Sequence, residues 1–113
     1  MARHLVEDVH AFFRGCFHDV LARSRRSGGV DASGFAAANR MLHGHHQTED
    51  VMWFPRLSAA HGADVAAGVR ELSRDHAALV ELEARVLVGS LDALSEFVAR
   101  LDEHLDLEEC LTV

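Results

Sequence analysis

The sequence predicts an all-α protein, an up-down-up-down antiparallel four-helix bundle formed by residues 1–113 as one domain. Three observations predict it. Apolar residues recur at three-to-four spacing along four long stretches. Short breaker runs, Ser27-Gly28-Gly29, His61-Gly62 and Gly89-Ser90, separate those stretches. Strand signals are nearly missing, with one proline, few β-branched runs and no alternation. Helices of about 20–28 residues are each about 30–40 Å long, and short turns between them favour antiparallel neighbours.

The first helix is expected over residues 4–25, where Val6, His10, Phe13, Phe17 and Val20 or Leu21 form one stripe. Arg23 to Arg26 place positive charge at its C-terminal end, which suits the helix dipole. Asp31 or Ser33 can cap a second helix running to about Ala60, with Phe35, Ala38, Leu42, His45, Glu49 and Met52 in line. Pro55 falls inside it and predicts a kink or an early stop. Asp64 can cap a third helix, to about Val88, carrying Val65, Val69, Leu72, His76, Leu79 and Val86. Ser90 caps the fourth, whose stripe is Leu91, Leu94, Phe97, Val98, Leu101, His104, Glu108 and Leu111.

Composition narrows the functional classes. The net charge of −7 argues against nucleic acid or an anionic membrane as partner. No apolar run approaches a membrane span, and the N-terminus carries acids where a signal peptide would have its apolar core. Cys16 and Cys110 stand far apart and in no CxxC spacing, so they read as reduced thiols and the protein as cytoplasmic. Nine histidines are an excess, but their positions carry more than their count.

His45-His46-Gln47-Thr48-Glu49-Asp50 and His104-Leu105-Asp106-Leu107-Glu108-Glu109 each hold a His followed four residues later by a Glu. On a helix these lie on one face, about 6 Å apart at Cβ, and can share a metal. His10 and His76 occupy the core stripes of the other two helices. Counted from the turns, Glu49, His76 and His104 each lie about 13 or 14 residues away, and the candidate ligands fall in a slab about 6–8 Å thick. His4, His18, His43 and His61 fail on height or face. His46, four residues before Asp50, is the rival to His45. A lone His on an apolar face is usually a hydrogen-bonded core residue. Four imidazoles and two carboxylates buried together would cost several kcal/mol per ion without a counter-charge. The candidate metal ligands are therefore His10, His45, Glu49, His76, His104 and Glu108. Mixed His and carboxylate ligands from four facing helices suit paired iron or manganese better than structural zinc, which prefers cysteine.

The pattern resembles the hemerythrin-like family of HHE cation-binding domains. His45 to Asp50, followed by Trp53-Phe54-Pro55, is similar to the second-helix signature HHxxED with an aromatic and Pro. His104 to Glu109 is similar to the fourth-helix HxxxEE, and the His10 and His76 segments to its lone-His segments. The resemblance implies a non-heme di-iron centre: two irons per chain, His10 and His45 on one, His76 and His104 on the other, Glu49 and Glu108 bridging, and an oxo or hydroxo bridge. It implies a small ligand, dioxygen first, with nitric oxide or peroxide as alternatives, and leaves open whether the protein is an enzyme, a carrier or an iron sensor. Oxygen-carrying members have a second third-helix His one turn from the first; here Leu72 and Val80 stand there, and Glu83 is the candidate replacement. No tyrosine is present, so a tyrosyl-radical role is excluded. Glu108 lies near the chain end, where fraying is cheapest.

Overall fold

A computed structural model of the chain describes the backbone over residues 3–111 and the side chains over residues 7–63 and 65–111. The bundle is four antiparallel rods. The first is α1 (Arg3–Ser27). The second is α2 (Ala32–Thr48), a single π-helical turn (Glu49–Trp53) and α3 (Phe54–His61). The third is α4 (Ala63–Leu87) and the fourth α5 (Leu91–Leu111). The second rod packs on α1 and α4, and α5 on α1 and α4, closing a ring.

The turns form where the breakers stand. Gly28 has φ +80° and its N–H donates to the Ser24 carbonyl at 3.0 Å, a left-handed helix stop that a side chain would oppose. Buried Ser24 ties the turn to the next rod, since its hydroxyl accepts the Asp31 N–H at 2.9 Å. Asp31 then caps α2, accepting the Gly34 N–H at 3.1 Å. Ser90 caps α5 through the Ala93 N–H at 3.1 Å. Asp64 is not the third rod's cap: α4 starts at Ala63 behind Gly62, with its Ala66 N–H on the Gly62 carbonyl.

Two apolar clusters fill the bundle. The larger, at the end closed by the Gly28 and Gly89 turns, holds Phe17, Phe35, Phe97, Leu42, Leu94 and their neighbours, with the three phenyl rings 5.0–5.9 Å apart at their centroids. The smaller, at the Gly62 end, is Phe54, Leu57, Val69 and Leu72, flanked by Trp53, Val65, Leu107 and Leu111. Leu111 reaches this cluster because Gly68 leaves room: a Cβ there would meet the Leu111 Cδ1 at 2.7 Å. The last turn of α5 is thus packed rather than dangling. Val6, in the expected α1 stripe, has its side chain outside the described residues.

One expected core residue is misplaced. Met52 is exposed, and the buried series runs Leu42, His46, Glu49, then Phe54 and Leu57. The step from Glu49 to Phe54 is five residues, and the Phe54 N–H donates to the Glu49 carbonyl. One extra residue in the turn rotates everything after it by about 100°, sending Met52 outward and Phe54 inward. Pro55 does not end the rod. It sits in the first turn of α3, where a missing N–H is cheapest.

Candidate metal centre

Between the two apolar clusters lies a polar layer of buried His10, His46, Glu49, His76, His104 and Glu108, with half-buried His45 at its side. Two groups in it bring ligand atoms within 4.8 Å of one another: His10, His45, Glu49 and Glu108, and His46, Glu49, His76 and His104. All six residues singled out in the sequence lie in one group or the other. His46 lies there as well. It is not a substitute for His45; the two imidazoles serve different groups.

The local geometry explains why. His45 and His46 are adjacent, hence about 100° apart around the helix, one toward α1 and the other toward α4. Glu49 follows by four residues and by three, so its carboxylate sits over the gap. Its Oε2 is 3.2 Å from His45 Nε2 and its Oε1 3.5 Å from His76 Nε2. Glu108 divides itself likewise, with Oε1 3.1 Å from His10 Nε2 and Oε2 3.5 Å from His104 Nε2. Each glutamate presents one oxygen to each group.

Three imidazoles are held from behind. His10 Nδ1–H donates to Glu109 Oε1 at 3.0 Å, His76 Nδ1–H to Asp50 Oδ2 at 2.9 Å, and His104 Nδ1–H to Asp75 Oδ2 at 3.2 Å. A carboxylate at each Nδ1 fixes the proton there and turns the Nε2 lone pair inward, the usual support for a metal-bound histidine. Sequence reasoning missed these carboxylates, although the signal is simple. Asp50 follows Glu49, Asp75 precedes His76, and Glu109 follows Glu108, so each is the chain neighbour of a site residue and serves an adjacent rod. Glu109 is itself clamped by Arg14, whose Nη1 donates to it at 3.0 Å and whose Nη2 donates to Asp106 at 2.6 Å.

The electrostatics record the crowding. Burial, then the neighbouring His76 and His104, push His46 down to about 2. Burial and His76 push His104 down to about 4, against the pull of Asp75. Burial alone would lower His10 and His76, but the carboxylates Glu108 and Glu109 on one, Glu49 and Asp50 on the other, raise both. Burial raises Glu108 to about 7, helped by Glu49 and opposed by His10. Burial would raise Glu49 too, yet the facing imidazoles of His45 and His76 and the Glu108 carboxyl hold it below the usual carboxylate range.

The donor set fits cations. The Nε2 atoms of His76 and His104 face each other at 3.1 Å. With both Nδ1 positions protonated, two lone pairs at that distance need a proton or a cation between them. His45 Nε2, His46 Nε2, Glu49 Oε1 and Glu108 Oε2 are buried without a hydrogen-bond partner, a costly state that metal coordination relieves. Phe13 lies 5.3 Å from the His45 ring and Phe54 stacks on His76 at 5.7 Å, closing the layer against both clusters.

The remaining candidates lie elsewhere. His18 and His43 are exposed and pair with Asp102 at 2.7 Å and Glu83 at 2.6 Å. Glu83 is thereby engaged outside both groups, and the fifth imidazole lacking on α4 comes from α2 as His46. Cys16 packs half-buried beside the larger cluster and Cys110 is exposed. No described helix is long and apolar enough to cross a membrane.

A helical bundle with a buried His and carboxylate layer of this kind is a metal-binding module. The model of the hemerythrin HHE cation-binding domain matches residues 1–111, and the chain belongs to that family. No curated protein and no solved structure matches it.

Proposed function

We propose that this protein holds a pair of non-heme irons in the polar layer and binds or senses dioxygen there. The observation that carries the reading is the division of Glu49 and Glu108, each with one oxygen toward each histidine group. That is what two carboxylates bridging two cations require. His10 and His45 are the ligands of one ion, and His46, His76 and His104 those of the other. Ligands that mix imidazole and carboxylate, with no cysteine among them, suit iron.

A reduced iron pair held by these residues would supply the electrons for dioxygen chemistry. The chain's own residues do the rest. Asp50, Asp75 and Glu109 keep protons on Nδ1 and lone pairs on Nε2. Phe13 and Phe54 shield the layer on its two apolar sides, which strengthens charge interactions there. The half with two imidazoles, beside a cavity of about 200 Å³ lined by Val9, Met52, Trp53 and Arg56, is where a small ligand would have room.

A second reading, action on peroxide, is favoured by a cleft of about 570 Å³ between α2 and α4 that reaches His46 and His76. It gives a polar molecule such as peroxide a route to the layer past Gln47 and Asp50. Metal analysis with absorption spectra in air and after reduction tests both. Two irons per chain and bands that return when the reduced protein meets oxygen are expected. Iron near zero in protein produced with ample iron overturns the proposal, and peroxide turnover well above that of free iron selects the second reading.

A further inference from the structure

The two halves of the layer share both bridging glutamates but are otherwise built unequally. We propose that they fill in a fixed order: a divalent cation enters by the α2–α4 cleft, settles first among His46, His76, His104 and Glu49, and the His10–His45 half fills second. The inference rests on the two-ion reading above and adds the route and the ranking.

Three observations carry it. The first half offers three imidazoles against two; Glu49 belongs to both groups, and Glu108, grouped with His10 and His45, also turns its Oε2 to 3.5 Å from His104 Nε2. The carboxylates behind the imidazoles differ in a second way. Asp50 and Asp75, behind His76 and His104, pair with no Lys or Arg among the described residues. Glu109, behind His10, is neutralised by Arg14 at 3.0 Å. A carboxylate that keeps its full charge makes the imidazole before it a stronger donor, so Asp50 and Asp75 favour a cation more than the Glu109–Arg14 pair does.

Access points the same way. The cleft is the larger opening, its lining includes the carboxylates Asp50 and Glu83, and it ends on His46, whose buried Nε2 has no partner. Asp50 spans the path, exposed on the cleft side and bonded to His76 on the other. The cavity beside His10 and His45 is smaller, and its lining sets the cationic Arg56 beside Glu49 and Glu108. An approaching dication meets the wider opening and the half-exposed Asp50 carboxylate at the first, and a narrower mouth carrying Arg56 at the second.

The test is a titration of the metal-free full chain with Co²⁺, followed by its visible absorption, with stopped-flow recording of uptake. The expected result is two steps, the first at least tenfold tighter. Asp50→Asn with Asp75→Asn keeps shape and a hydrogen-bond acceptor but removes charge. This double variant should weaken the first step by about 10–100-fold and leave the second nearly unchanged. Val80→Trp, at an exposed position on the cleft wall, should slow the first uptake phase several-fold without changing the final stoichiometry. Circular dichroism checks that both variants keep their helices; if the double variant does not, the single Asp75→Asn is read in its place. Two equal steps in the unmodified chain, equal weakening of both steps in the double variant, or unchanged uptake in Val80→Trp overturns the ordering and leaves the two-ion reading standing. No cobalt binding at all overturns both.

Discussion

The two ends of the bundle are held by different means. At the end of the Gly28 and Gly89 turns, sixteen buried residues form one apolar cluster from four rods, with Phe17, Phe35 and Phe97 at its centre. At the Gly62 end Phe54, Leu57, Val69 and Leu72 are the buried members of the cluster among the described residues. The polar layer lies between them. The large end is self-sufficient, since apolar burial and close packing stabilise it whatever happens at the site. The small end abuts the layer, with Phe54 stacked on His76. Whatever neutralises the layer helps hold it in place. The scaffold and the metal-responsive part are therefore two stretches of the same four rods.

The largest expected break in this comparison is Glu49→Ala, which removes a carboxylate oxygen from both histidine groups. Metal analysis should find the content of both ions lost, with the helices retained by circular dichroism because the large cluster is untouched. Next is Phe97→Ala. It should cost about 3–5 kcal/mol in denaturant unfolding, with and without metal alike, since its ring lies in the large cluster. Leu72→Ala at the other end should cost about 2–5 kcal/mol and also loosen metal binding, which Phe97→Ala should not. Chelation without mutation should speed amide exchange in Glu49–His61 and the last turns of α5, and leave the amides around Phe17 and Phe97 protected. Uniform acceleration along all four rods would erase the distinction.

Acid should act on the layer first. His46 and His104 have folded values of about 2 and about 4 against 6.5 unfolded, so the folded chain binds fewer protons below 6.5. Their contribution is present above 6.5 and is lost as pH falls, through about 4 for His104 and further down for His46. Glu108, raised to about 7 from 4.5, works the other way between those values. His10 and His76, raised above 6.5, have most of their contribution in place by that pH and add little below it, so one carboxyl against two imidazoles leaves a net loss. Metal-free protein should therefore melt at lower temperature at pH 5 than at pH 6.5. The smallest effect is expected for Gly68→Ala. The gain in helix propensity, about 1 kcal/mol, opposes the push on Leu111, whose flexible tip is 2.7 Å away. Thermal unfolding should move by a few degrees at most.

Much of this was legible in the sequence. The stripes, the three glycine turns and the Asp31 and Ser90 caps follow from spacing and local hydrogen-bond chemistry, and the structure has them. The polar residues that interrupt those stripes, His10, Glu49, His76, His104 and Glu108, could be placed at one height by counting from the turns. What counting missed has three physical sources. A regular helix admits one residue of an adjacent pair to its inner face, so His45 and His46 read as rivals. With a shared glutamate between two groups, both fit. The π turn is invisible to a 3.6-residue period, which is why Met52 was expected inside and Phe54 was not. Asp50, Asp75 and Glu109 sit off the apolar stripes, and only the packing of adjacent rods shows that they back the site.

The π turn also has a consequence for chain length. The second rod carries one residue more than a straight helix from Glu49 to Phe54 would need, and Pro55 follows directly. In regular α pitch the Pro55 ring would press on a carbonyl four residues back, and the wider turn leaves space for it. The extra residue and the proline are thus a matched pair, each tolerable because of the other. Deleting exposed Val51 alone should destabilise the rod, replacing Pro55 by Ala alone should matter little, and the two changes together should restore a plain helix with Glu49 and Phe54 four apart on one face. Unfolding temperatures of the three variants measure that coupling directly.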